Sequence, residues 1–234
     1  MQLQHTLAKE STGENMTTMM MTDFVPADID ATTWDNLQPY YQQLLDREFK
    51  CVGCVEQFLL DRSELDAAAE EAGSTLYIAM TCNTEDEEAK AGFLAFVENV
   101  EPELKKIGFE LNKKVVQSPL VSELDANRYG VLLRNWIADV DIYRDENVPL
   151  QTEDIKLGQE YSELCGAMMV EFDGEEKTLP QMGVYLQDQD RNVRESAWRV
   201  VAERRLQNRD AIDALFDKMV VNRNQTALNA GFND

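Results

Sequence analysis

Histidine is all but absent from this chain: of 234 residues only His5 is one. It lies in a polar, Met- and Thr-rich stretch, residues 1–22, that has no periodicity and reads as a disordered extension. Mechanisms that need an imidazole base or ligand in the folded part are excluded, Ser/His/Asp catalysis among them. Glycine (11) and proline (6) are scarce beside abundant Glu, Ala, Leu and Gln, which favours helix over sheet. Positive charge is also short: 22 Lys and Arg stand against 44 Asp and Glu, for a net charge of −22. Such a chain repels nucleic-acid phosphates and anionic membranes, so neither partner is expected. Cationic peptides would be attracted, but a solvated acidic surface is the simpler account. Four cysteines in a chain this long do not make a secreted disulfide scaffold. No apolar run reaches the ~18 residues of a membrane span, and no apolar signal core opens the chain. The expected location is cytoplasmic.

Apolar residues recur at helical spacing almost throughout. Trp34, Leu37, Tyr41, Leu44 and Leu45 form one face, and Val52, Val55 and Leu59 a shorter one. Ser63-Glu-Leu-Asp66 has the form of a capping box ahead of Leu65, Ala68, Ala69, Ala72, Leu76 and Met80. Thr84-Glu-Asp-Glu87 is a second, ahead of a long stripe: Ala89, Phe93, Val97, Val100, Leu104, Ile107 and Leu111. Pro102 either kinks that helix or restarts it. After Ser118-Pro119, Leu132, Trp136, Val140 and Tyr143 share a face; Thr152 is a candidate cap for a helix with Leu157, Tyr161, Leu164 and Met168 inward. The sole strand signal follows, Val170 and Phe172 alternating with polar residues before the turn dipeptide Asp173-Gly174. Thr178-Leu-Pro-Gln181 then restarts helix with Met182 and Leu186 inward, and Asp190 caps a helix with Val193, Ala197, Val200 and Val201 inward. A last helix carries Ile212, Leu215, Phe216, Met219 and Val220. The expected fold is all-α, a multi-helix bundle-like array with one small β-hairpin near residues 169–179 and a division near residue 117. The segments read as an extension (1–22), an amino-terminal helical region (23–117), a helical region with the hairpin (118–189) and a final helical segment (190–234).

Few residues suggest chemistry. Cys51-Val-Gly-Cys54 could bind zinc or exchange disulfides, but Cys82 and Cys165 supply no second pair at ligand spacing. Two helical thiols are the plainer reading. A di-iron bundle needs Glu-x-x-His motifs that are absent. With 44 acids, close carboxylate pairs arise by chance, and no Gly-rich phosphate loop exists. Arg191, Arg194, Arg199, Arg204, Arg205 and Arg209 concentrate positive charge. They would suit a carboxylate ligand, though pairing with surrounding acids is the simpler expectation.

Three runs carry a resemblance: Phe172-Asp-Gly-Glu-Glu-Lys-Thr-Leu-Pro180, Tyr185-Leu-Gln-Asp-Gln-Asp-Arg-Asn-Val-Arg-Glu-Ser-Ala-Trp198, and Ala227-Leu-Asn-Ala-Gly-Phe232. Together they resemble oligoendopeptidase F, of the thimet-oligopeptidase-like zinc metallopeptidases. Ser63-Glu-Leu and Ile78-Ala-Met-Thr-Cys-Asn-Thr84 are similar to that family's amino-terminal region. The likeness spans residues 30–234 and is strongest over 170–200. It implies a metalloendopeptidase in which a His-Glu-x-x-His helix and a downstream glutamate hold zinc and a catalytic water. None of that motif is in this chain, so no catalytic or metal residue is carried over, substrate-binding residues stay unassigned, and the chain alone is expected to be inactive. What the resemblance implies is a non-catalytic amino-terminal region that walls a channel for short peptides. Residues 190–234 would then open the catalytic domain, and zinc would belong to the full-length enzyme. The expected partners are short peptides in that enzyme, the missing catalytic domain and, through the stripe from Ile212 to Val220, a second copy of the fragment. The rival expectation is a stand-alone acidic helical scaffold or adaptor.

Overall fold

The computed structural model describes residues 24–83 and 85–233. The extension expected over 1–22 and the cap expected at Thr84 lie outside them. Among the described residues the fold is all-α with one two-stranded antiparallel hairpin.

The amino-terminal part is built from α1 (Trp34–Asp46), α2 (Val52–Cys82), α3 (Glu87–Asn99), α4 (Glu101–Val116) and α5 (Ala126–Ile142). Helix α2 runs unbroken for 31 residues, so Ser63-Glu-Leu-Asp66 is helix interior and not a capping box. Val55, Phe58, Leu65 and Ala69 are all buried along one stripe, and that burial carries the helix through the polar interruption. Glu64 does cap backbone, but elsewhere: its carboxylate accepts from the amides of Phe24 (3.0 Å) and Val25 (2.9 Å) and ties the start of the described chain to α2. The stripe beginning at Ala89 belongs to two helices. It breaks at buried Val100, and Pro102 sits in the first turn of α4, where its missing amide leaves no bond unmade. Asp86 caps α3 by accepting from the amides of Glu88 and Ala89. Ser118 caps a short 3₁₀ turn, Pro119–Glu123, that leads to α5.

These five helices enclose the main core, in which Leu37, Leu44, Val55, Phe58, Leu65, Leu111 and Val115 have no solvent exposure. A polar knot crosses it. Arg62 donates to Asn112 (2.7 Å) and Asp66 (3.2 Å), and its guanidinium lies 4.4 Å from the centre of the Trp136 ring. Tyr41 donates to the same Asp66 (2.8 Å). One arginine thereby joins α2, α4 and α5, while Asp66 brings in α1.

The carboxy-terminal part holds α6 (Asn147–Gly166), β1 (Met169–Phe172), β2 (Glu175–Thr178), α7 (Arg191–Gln207) and α8 (Arg209–Asn229). Helix α6 starts five residues before Thr152, whose hydroxyl donates to the Val148 carbonyl instead of capping. Asn147 and Val148 are buried and Pro149 fits a first turn, which places the start earlier. Leu157 and Met168 are buried as expected, but Tyr161 faces solvent. The hairpin register pairs Phe172 with Glu175, and Asp173 (φ 56°) and Gly174 (φ 75°) make the left-handed turn that the dipeptide signals. Val170, Met182 and Ala197 form a small core beneath it. Thr178 and Gln181 do exchange bonds, the Thr178 amide to the Gln181 side chain (2.7 Å) and the Gln181 amide to the Thr178 hydroxyl (3.3 Å). Only two 3₁₀ turns follow, however, and Leu186 is exposed. Gly183 is a poor helix former, and Asp188 takes the Asp190 amide locally (2.8 Å), so no long helix propagates. Asp190 caps α7 as expected. No described helix is long and apolar enough to cross a membrane.

Candidate functional site

The arginines of α7 and of the start of α8 take three roles. Arg199 and Arg209 make helical ion pairs with Glu195 (2.8 Å) and Asp213 (3.5 Å). Arg194 donates to the carbonyls of Asp188 and Gln189, closing the turn ahead of the helix. Arg204 donates to the Met169 carbonyl (3.1 Å) and fastens strand β1 to the helix. Arg191, Arg194 and Arg199 also rim an open depression around Trp198, which is 60% exposed.

A deeper cleft of about 500 Å³ lies between α4, the α5–α6 corner and the end of α8. Phe109 of α4 stacks on Tyr143 at 4.0 Å with ring planes 10° apart. Asn112, fixed by Arg62, also lines the cleft, as do Arg144, Asn147 and Arg223. Each cation is already engaged. Arg144 donates to the carbonyls of Asp141 (2.9 Å) and Tyr143 (2.6 Å), and Arg223 makes a two-pronged pair with Asp154 (2.9 and 3.1 Å). Burial first, then its bond to Asp145 (2.8 Å), holds the Tyr143 phenol well above the ordinary tyrosine range, so it acts as a donor and not as a base. Asp139 is the one carboxylate among the lining residues, and acid–base catalysis by a carboxylate pair has no footing there. Stacked aromatics beside amide donors suit the binding of a flat polar group such as a peptide unit.

The wall that α8 gives this cleft is set by asparagines that the apolar pattern does not reveal. Asn147 donates to the Thr226 carbonyl (3.0 Å), Asn229 donates to Asn147 (2.8 Å), and Asn222 donates to the Leu150 carbonyl (2.8 Å). The visible signal is that Asn222 and Asn229 stand seven residues apart, on one face of a helix.

Cys51 and Cys54 are joined as a disulfide, which corrects the expectation of two helical thiols. Cys51 is the extended N-cap of α2 and Cys54 lies in its first turn, so the cap geometry folds the two side chains together. Cys82 and Cys165 are free thiols. Among the described residues no group of three or more His, Cys, Asp or Glu side chains is placed to hold a metal ion.

Comparison with known proteins gives this geometry its context. The family model described as the Peptidase M3 N-terminal domain matches residues 24–143. Among solved structures, one assigned as an oligoendopeptidase F matches with a TM-score of 0.80 at 25% identity, over 90% of this chain and 38% of its own. Another such structure, from Bacillus anthracis strain Ames, matches with a TM-score of 0.78 at 25% identity, over 85% of this chain and 37% of its own. A PZ peptidase A with an inhibitor matches with a TM-score of 0.78 at 25% identity, over 85% and 35%. The chain thus spans little more than a third of the length of each. No curated protein matches. The family model ends before the hairpin and arginine helix, while the structural matches extend over most of the chain.

Proposed function

Because the chain belongs to the Peptidase M3 N-terminal domain family, we propose that it is the non-catalytic amino-terminal region of a zinc oligopeptidase. Its work is to wall a channel for short peptides. The observation that carries this reading is the likeness, across 85–90% of the chain, to oligoendopeptidase F structures that are much longer than it. The cleft beside Phe109 and Tyr143 is the peptide-contacting surface in this reading. The described residues do not fit a zinc ion, since they bring no ligand set together. Zinc and the chemistry of cleavage fall to the portion of the fold that this chain does not span, in a cytoplasmic enzyme.

Residues 190–234 then serve as the junction with that portion. Phe216 (62% exposed), Val221 (71%) and Trp198 (60%) stand exposed on α8 and α7, apolar side chains that a covering partner would bury. The remaining part of the oligopeptidase fold is the proposed occupant, and a second copy takes its place when the chain is alone.

The test is reconstitution. The purified chain should cleave no quenched fluorescent peptide and hold well under one zinc per chain. Mixed with the separately expressed remainder of a matched oligoendopeptidase F, it should form a complex that cleaves. Peptide cleavage by the chain alone, or one tight zinc per chain lost on changing Cys51 and Cys54, overturns the reading.

A further inference from the structure

We propose that Cys51 and Cys54 form a reversible dithiol–disulfide exchange site whose co-reactant is a dithiol. The two residues close a turn at the N-terminus of a 31-residue helix, with Cα atoms 5.1 Å apart and the Cys51 sulfur accepting from the Cys54 amide at 3.2 Å. Cys51 is exposed and Cys54 half-buried, so an incoming thiolate meets the Cys51 sulfur first. The flank is open as well: a Cβ added at Gly53 would meet nothing within 4 Å. Once the pair is reduced, the Cys51 thiolate keeps the Cys54 amide as its donor at the start of α2, where the amides and the helix dipole stabilise negative charge, so Cys51 is the more reactive thiolate of the two.

The bond is poorly placed to serve as a staple. A disulfide gains least where it closes a short loop, and here the separation is three residues. The surroundings already hold the corner. Val55 and Phe58 are wholly buried, and Phe49 packs edge-on to Phe58 at 5.0 Å. The Lys114 ammonium donates to the carbonyls of Leu45 and Arg47, which anchors the loop before Cys51 from α4. The corner can therefore open and close its S–S bond without losing the helix.

The step balances as follows. A thiolate of the dithiol attacks the Cys51 sulfur, the Cys51–Cys54 bond breaks, and Cys54 departs as a thiolate and takes up a proton. The second thiol of the reductant then attacks the mixed disulfide. It releases Cys51 as a thiol and leaves the reductant as a cyclic disulfide. Two electrons and two protons pass from reductant to protein, and the reverse reaction oxidises the pair.

The whole chain is equilibrated in mixtures of reduced and oxidised dithiothreitol, quenched with N-ethylmaleimide and read by peptide mass spectrometry. Cys51 and Cys54 should convert together from fully blocked to fully alkylated across the series, while Cys82 and Cys165 are alkylated throughout. With oxidised glutathione, Cys54→Ser should trap a mixed disulfide on Cys51 about tenfold faster than Cys51→Ser traps one on Cys54. Helical circular dichroism should be unchanged between the reduced and oxidised chains, which needs no variant to fold. Alkylation of all four cysteines in every mixture, equal trapping at the two positions, or loss of helix on reduction would each overturn the proposal.

Discussion

Within the first five helices, Leu37, Leu44, Val55, Phe58 and Leu111 lie wholly out of solvent, whereas α8 buries only Leu215 and Asn222 in 21 residues. The amino-terminal part is a conventional apolar core with one buried polar knot around Arg62. The carboxy-terminal part is keyed by asparagine side chains to backbone carbonyls and leaves Phe216 and Val221 in water. Where the two parts meet at α3 and α6, Ile155 packs on the small apolar cluster of Met80, Phe93 and Val97, and two ion pairs flank it: Lys90 to Glu163 at 2.6 Å and Lys156 to Glu98 at 2.7 Å. Apolar burial is non-directional and strong, while side-chain amides contribute less but fix register. The amino-terminal helices close around a core of their own, while the carboxy-terminal segment leaves apolar side chains of α8 uncovered.

The sharpest way to break this contrast is to delete one large side chain from each part. Phe58→Ala should cost about 3–5 kcal/mol in urea unfolding, since Phe58 is fully buried and held between α1–α2 loop residue Phe49 and the helix core. Phe216→Ser should change stability by no more than about 0.5 kcal/mol, because the ring is already exposed. It should instead reduce self-association in light scattering. Comparable stability losses in the two variants would show that α8 is packed as firmly as the core and would remove the contrast.

A smaller effect probes the asparagine keys. Asn222→Ala removes the donor to the Leu150 carbonyl and should cost about 0.5–1.5 kcal/mol, the net worth of one hydrogen bond, because that carbonyl lies within α6 and keeps its helical partner. Hydrogen exchange should quicken in α8 and in the first turns of α6 while α2 and α4 keep their protection. Uniform quickening in all helices would mean that the two parts unfold as one unit.

The same contrast explains what could be read from the sequence. The all-α fold, the Asp173-Gly174 hairpin and the Asp190 cap follow from local signals whose cause is local: turn dipeptides and an acceptor side chain at a helix start. Helix boundaries failed where burial overrode a local cap. Ser63 has the chemistry of a start but lies between Leu59 and Leu65 on a stripe that needs the helix to continue. Thr152 failed likewise, because buried Asn147 and Val148 draw the start of α6 earlier. The cleft was not legible at all. It is made by Phe109, Tyr143 and Asn147, residues whose partners lie across helices, and no spacing within one element announces a contact between elements. The cysteine pair was visible, but its pairing depends on Cys51 standing outside the helix that Cys54 enters.

The seam offers the smallest and most specific test. The hydrogen bond from Lys90 holds the Glu163 carboxyl below its ordinary range, and the same contact raises Lys90. A depressed carboxylate contributes stability above its unfolded value, about 4.3, and loses that contribution as pH falls through the lower folded value. Lys90 works in the opposite sense at the alkaline end, where its contribution is lost as pH rises through its raised folded value. Both side chains are about a third exposed, so solvent screening limits the pair to about 0.5 kcal/mol. Glu163→Gln should therefore unfold at slightly lower urea than the parent at pH 7, and the gap should close as pH falls through the lowered folded value of Glu163, below which it is protonated in both states of the parent. It should also narrow in high salt. A gap that does not narrow as pH falls would mean that Glu163 holds the seam through packing or through its bond with Gln159, and the ionic role of the Lys90–Glu163 pair would fall.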